Sequence, residues 1–439
     1  AAEPVPALKF RLLVPPVDQV HANAATFYYK ALINDPDFIA RWNADEQVQT
    51  WLDTPLAELP LAEIKARIGP IETNEFNAAL RAGAAADYCQ WEDPIRQFGA
   101  NTLLSQAQKL RSLAKALVII TRYQIAEHRH TDAIETLRLC FSLSRHLGHA
   151  QSIPQSLIGM AIDDIALSAT RELITEPGSP NLYWALTELA SQPIEVRGAM
   201  SFESHVWEFT FHKLVDLEQR ALTPAEALEI AANVQGFLKD STAPLTADEE
   251  LALLSAARAV EPAARAFLVE HGCTAAQIDA MPVLQRSLLY RWRQFQEIRD
   301  RCFRWTLLPE EEALEQRDRL QTETSSLAGS DAGSPFTEML PSAFGCLGAR
   351  LRRQRETELL RAVEALRMHA AQHGAWPKAL ADVKAVPVPL DPGTRQSFEY
   401  KVSGRVATLA ARTEAYFVGN TRLLGERCEL TLREPAAGK

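Results

Sequence analysis

The chain is 439 residues long, 47% apolar, and carries a formal net charge of -10. That length exceeds one compact core and fits roughly two to four domains or one long repeat array, while the apolar fraction excludes global disorder. The acidic balance excludes a general nucleic-acid binder, which needs an electropositive surface, and disfavours anionic membranes for the same reason. No stretch reaches the roughly 20 apolar residues of a spanning helix; the longest, Leu113 to Thr121, is interrupted by Lys115.

In chain order, residues 1–20 are expected to be extended, because Pro4, Pro6, Pro15 and Pro16 exclude a helix. The Ala-Ala-Glu-Pro start reads as the string left by signal peptidase and points to export, to the periplasm or cell envelope. Residues 21–320 predict an α-helical array. Within it, 113–127 and 131–147 read as a helical hairpin, the second helix capped by Thr131. Small or apolar residues recur at Ala116, Ile120, Tyr123 and Ala126, then at Ala133, Leu137, Cys140 and Leu143. An ordinary antiparallel pair fits the same pattern. A further helix is expected over 155–175.

Ser179-Pro180 reads as a cap residue followed by a first-turn proline. Thr223 to Glu226 and Thr246 to Glu249 fit the capping box, and His271-Gly272 marks a helix C-terminus. Residues 321–345 form a linker by composition, centred on the Ser- and Gly-rich run Thr322 to Pro335.

Residues 346–439 then predict a small α+β domain. Its helix spans 350–373, with Leu359, Leu360, Val363 and Leu366 on the apolar side. The period changes to two at Phe398, Tyr400 and Val402, Ser403-Gly404 turns, and Val406 to Ala410 returns. Tyr416 to Val418 and Cys428 to Leu432 are further strand candidates. The fold class is therefore mostly α: a helical-hairpin, solenoid-like array followed by a long helix and a short antiparallel sheet.

Three resemblances attach to these segments. The hairpin at 113–147 resembles a tetratricopeptide repeat, without the full aromatic and proline signature. Gly374-Ala-Trp-Pro377, Leu380, Val388 to Gly393 and Phe398-Glu-Tyr400 together resemble the soluble C-terminal part of type II secretion pseudopilins. Those proteins carry a hydrophobic anchoring helix where this chain has Arg350, Arg352, Arg353 and Arg355, so the resemblance implies a borrowed fold and not filament assembly. The segment order also resembles a group of exported helical proteins of planctomycete-type bacteria. It is carried by Ala7 to Leu13, Asn23 to Tyr29, Cys89 to Glu92, Pro180 to Leu186, Ala280 to Val283 and Val388 to Pro392. That resemblance implies a helical fold and export, and no chemistry.

Candidate sites are few. His205, Glu208 and His212, spaced by three and four, would lie within about 60° of one another on a helix, with Asp216 continuing the stripe. Imidazole and carboxylate at that spacing can share a zinc ion, but Trp207, Phe211, Leu214 and Leu217 form the buried face. The stripe is therefore expected to face water, and no metal is expected. His369 and His373 have no third ligand in view, and His128, His130, His146 and His149 read as loop and cap residues. In the helix from Leu284 to Leu307, the face Leu284, Leu288, Trp292, Phe295, Ile298, Cys302 and Phe303 reads as core. Arg299 phases into that face and needs a carboxylate partner or an anionic ligand. Tyr183 and Trp184 could line a groove or pack in the core, and Trp91 and Glu92 sit in a turn-like break.

Cys89, Cys140, Cys273, Cys302, Cys346 and Cys428 form no C-x-x-C pair, which leaves zinc ribbons and thioredoxin-type chemistry unsupported. Cys140 reads as a small buried hydrophobe. No G-x-S-x-G, H-E-x-x-H, P-loop or G-x-G-x-x-G occurs, so no catalytic residue and no cofactor is expected. The leading expectation is a binding or scaffold protein of the periplasm or cell envelope with a protein partner. A metal-dependent hydrolase and an accessory of a secretion-like assembly stand as alternatives.

Overall fold

The computed structural model describes residues 1–35, 38, 42, 46–68, 75–91, 94–102, 105–241, 243–309, 312–313, 316, 343–411, 417–418, 421–422 and 427–432. The expected linker 321–345 lies largely outside these residues. The protein is mostly helical, with a small C-terminal antiparallel sheet, as its patterning predicts. The longer helices are α1 (Ala24–Asn34), α2 (Glu46–Asp53), α3 (Leu61–Ile68), α4 (Glu75–Ala85), α5 (Ser105–Ala126), α6 (His130–Gly148), α7 (Ile153–Thr175), α8 (Tyr183–Ala190), α9 (Pro224–Leu238), α10 (Ala247–Glu270), α11 (Val283–Phe303) and α12 (Ala343–His373). Among the described residues, no helix is long and apolar enough to cross a membrane.

The chain divides into two compact units. Ala1–Glu92, Leu104–Ala199 and Phe344–Lys439 form the first; Asp93–Leu103 and Met200–Ala343 form the second. This differs from the linear order expected above, in which 346–439 is appended as a separate domain. The reason lies in burial. The apolar face of α12, including Leu359, Leu360, Val363 and Leu366, shares one continuous core with Leu12, Ile120, Leu137 and Leu167.

In unit 1, α5, α6 and α7 pack on one another through short connections, and α1 packs on α4. A close approach sets the α6–α7 geometry: a Cβ on Gly159 would overlap the Gly148 backbone and the Ser144 carbonyl. The N-terminal segment has no α-helix. It lays Leu12 and Leu13 into the core, and Val20–Asn23 pairs in parallel with Ala86–Tyr88. The C-terminal strands Glu399–Ser403, Val406–Ala410 and Arg427–Thr431 form an antiparallel sheet in that order. Gly404 takes the positive φ of the tight turn, at 60°. Trp376 donates to the Arg405 carbonyl and Tyr400 to the Pro377 carbonyl, so the Gly-Ala-Trp-Pro segment is pinned to the sheet. The expected strand at 416–418 is represented by Phe417–Val418, paired with Thr421–Arg422; Tyr416 lies outside the described residues.

Two expected caps are not where the sequence suggested. Thr131 lies inside the first turn of α6, which starts at His130 with no side-chain cap. The turn before it reverses through His128, at φ 57°, and Arg129 pairs with Asp132 instead. Ser179 does not cap α8, which starts at Tyr183. Glu364 of α12 holds Asn181 and the Leu182 amide, and the Asn181 side-chain oxygen accepts from the Tyr183 amide.

Unit 2 follows its local signals more closely. Thr223 and Thr246 form full capping boxes with Glu226 and Glu249, and Gly272 ends α10 at φ 88°. The α11 face expected to be core is buried at Leu284, Leu288, Trp292, Phe295, Ile298 and Phe303, with Cys302 half-buried.

Candidate functional site

The histidine stripe expected on one helix face is broken. Arg197–Glu203 ends before His205, Val206–Thr210 is a separate short helix, and His212 opens a 3-10 turn. Each member is engaged separately. His205 Nδ1 lies 2.8 Å from Ser204 Oγ, His212 Nε2 bonds the Gln97 carbonyl at 3.1 Å, and Glu208 pairs with Arg299 at 2.6 Å. No group of three His, Cys, Asp or Glu among the described residues could hold a metal ion. Arg299 thus meets the carboxylate its buried phase demands, and Asp300 completes the fork at 2.9 Å.

The other sequence candidates are anchored in unit 1. Tyr183 is fully buried; its hydroxyl donates to the Pro387 carbonyl at 2.6 Å and accepts from Arg361. Trp184 donates to Glu3 at 2.6 Å. Trp91 donates to the His146 carbonyl and stacks on Tyr28, whereas Glu92 lies outside the described residues. The Tyr28 hydroxyl lies 2.8 Å from His146 Nδ1. Burial pushes the His146 imidazole down to about 4, against the opposing bond to the Ala86 backbone. His146 is therefore neutral at physiological pH. Cys140 is fully buried, which pushes its thiol up. His369 and His373 stack with ring centroids 4.1 Å apart.

Unit 2 carries a groove of about 950 Å³. Its floor is apolar, with Phe211, Leu214, Ile230 and Phe237. Trp207, Phe211 and Phe237 form a three-ring cluster with centroids 5.3 to 6.1 Å apart. Its rim is polar and exposed: Asn101, His212, Lys213, Asn233, Asp240 and Ser241. The size falls within the range of ligand sites, which combine an apolar floor with a few placed polar groups.

Unit 1 carries a smaller feature that the sequence reading missed. Arg145, Met160, Asp163, Ile194, Arg350 and Arg353 are among the residues lining a half-open hollow of about 430 Å³ including its mouth. The close α6–α7 packing brings Ser144 Oγ to Asp163, donating at 3.3 Å. Burial pushes the Asp163 carboxyl up to about 6, with Arg353 opposing. Burial also lowers the Arg145 guanidinium, and it lowers His149 together with Arg145. A signal was present: Asp163 and Asp164 interrupt an otherwise apolar stretch of helix, Met160 to Ala166. Such an interruption asks for a partner, and α12 supplies Arg353, which pairs with Asp164 from far along the chain.

No protein family, curated protein or solved structure matches the chain.

Proposed function

We propose that the protein is a binding or scaffold protein of the periplasm or cell envelope, and that the unit 2 groove holds an extended peptide segment of a protein partner. The observation that carries this reading is the composition of the groove. An aromatic floor offers anchor pockets for side chains. Rim amides on Asn101 and Asn233 and the Ser241 hydroxyl offer both donors and acceptors, which match the peptide groups of a passing main chain. Lys213 and Asp240 give the rim one charge of each sign, so the groove does not select a strongly charged polymer. The compartment rests on the resemblance to exported helical proteins.

Selection of displayed peptides on the full chain tests the reading. Asn101→Ala and Asn233→Ala change exposed residues and should leave the fold intact. Together with Phe237→Ala, each should weaken the selected peptides by about tenfold or more. Peptides that bind all three variants as tightly as the unmodified chain would contradict it.

A further inference from the structure

We propose that the hollow of unit 1 is a binding site for a hydrogen-bearing oxyanion: phosphate, or the terminal phosphoryl group of a phosphate ester. It is independent of the unit 2 groove. The case starts from Arg353, whose side chain is 8% exposed. Its Nε donates to the Met160 carbonyl at 2.6 Å and Nη2 pairs with Asp164, while Nη1 is buried without a hydrogen-bond partner. A buried guanidinium N–H left without an acceptor is costly. Arg353 lines the hollow, so an oxyanion oxygen seated there would supply that acceptor. The hollow has about 30 Å³ of room for the centres of water-sized atoms, enough to seat an oxygen, and it opens to solvent.

Two more guanidinium groups line the same hollow. Arg145 commits Nη1 to the Gln192 carbonyl at 2.6 Å, and Arg350 lies 3.8 Å from Glu195. Planar forks of this kind match paired oxyanion oxygens. The carboxylates beside them, Asp163, Asp164, Glu188, Glu195 and Glu356, keep the hollow from being simply basic, so charge alone does not choose the ligand.

Asp163 makes the choice. Ser144 donates to its Oδ1, and the Asp163 carboxylate lines the hollow. An ionised carboxylate accepts hydrogen bonds only, so it favours an anion that still carries a hydrogen and repels one that does not. At neutral pH phosphate and phosphate monoesters retain a hydrogen in part or whole, and sulfate has none. The same geometry that accepts phosphate therefore rejects sulfate.

Isothermal titration calorimetry of the full chain at neutral pH and fixed ionic strength tests this, with inorganic phosphate, methyl phosphate and sulfate as probes. Phosphate should bind about tenfold or more tightly than sulfate, the worth of one charge-assisted hydrogen bond. Asp163→Asn replaces the acceptor with a group that also donates, so sulfate should tighten and the preference should vanish. Arg145→Gln, at the less buried wall, should weaken phosphate by about tenfold. Methyl phosphate binding as well as phosphate assigns an ester as the ligand; binding of phosphate alone assigns the free ion. No phosphate binding by the unmodified chain, or a phosphate preference that survives in Asp163→Asn, overturns the proposal.

Discussion

The two units solve the problem of charge in opposite ways. Unit 2 has an apolar core built from Leu217, Ile230, Leu268, Leu289 and Trp292, and most of its ion pairs lie outside it: Lys213–Glu229, Lys239–Glu249 and Arg265–Asp279. Arg299–Glu208 and Arg286–Glu261 are more buried. Unit 1 runs a charged helix through its interior. Along α12, Arg353, Arg355 and Glu364 are buried, and each reaches a different part of the chain. Arg355 meets the fully buried Asp391 at 2.9 Å, Arg353 meets Asp164, and Glu364 accepts from Arg367, Asn181 and the Leu182 amide. Exposed pairs contribute little, because water screens them and ordering two side chains costs entropy. Buried pairs add little net stability when intact, but removing one partner strands the other in low dielectric. Unit 1 is therefore held in register by its charges, whereas unit 2 is held by apolar area and by good helix ends.

The comparison breaks most sharply at Arg355. Arg355→Met leaves Asp391 buried and unpaired, and Asp391 also anchors the Asp-Pro-Gly turn by accepting from the Gly393 amide at 2.8 Å. A loss of about 3–5 kcal/mol is expected in urea unfolding. Little change would mean the pair is dispensable.

A second test uses pH. The Asp163 carboxyl is raised from 3.8 to about 6, so its contribution is present at low pH and is lost as pH rises through about 6. The His146 imidazole is lowered from 6.5 to about 4, so its contribution is present above 6.5 and is lost as pH falls towards 4. Each displacement corresponds to on the order of 3 kcal/mol, and the two oppose each other in the window they share. Relative to the unmodified chain, Asp163→Asn should make stability rise more steeply from pH 4 to 6.5, and His146→Gln should make it rise less or fall. Parallel pH curves for all three proteins would contradict both assignments.

Gly159→Ala is the next largest effect. It forces α7 away from Gly148 and should cost about 1–3 kcal/mol, the range for overpacking, measured as a lowered urea midpoint. The smallest effect belongs to unit 2. Lys213→Ala removes a pair whose two side chains are each about half exposed, and the midpoint should move by at most about 1 kcal/mol. A larger loss there would erase the contrast between the units.

The same contrast explains what was legible in the sequence. Unit 2 is written locally: the boxes at Thr223 and Thr246, the stop at Gly272 and the buried face of α11 each follow from a few neighbouring residues. So does the hairpin turn at Gly404 in unit 1. Where a long-range contact decides, local signals misled. Glu364 reaches in to place the start of α8, so Ser179-Pro180 was a false cap. The stripe at His205, Glu208 and His212 assumed one continuous helix that breaks between Glu203 and Val206. The oxyanion hollow draws on α6, α7, α8, α12 and the loop at 192–194, and the sequence around Arg350 to Arg355 names no partner for them. Only the burial of α12 turns those arginines inward.

Hydrogen exchange read by mass spectrometry tests most directly whether α12 belongs to the core of unit 1. Amides of Leu351 to Met368 should be as slow as those of α5 and α6, and Arg355→Met should speed all three together. If 343–432 instead exchanges as a block of its own, with α5 and α6 unaffected by Arg355→Met, the C-terminal segment is a separate domain and the charged interior does not bind the unit together.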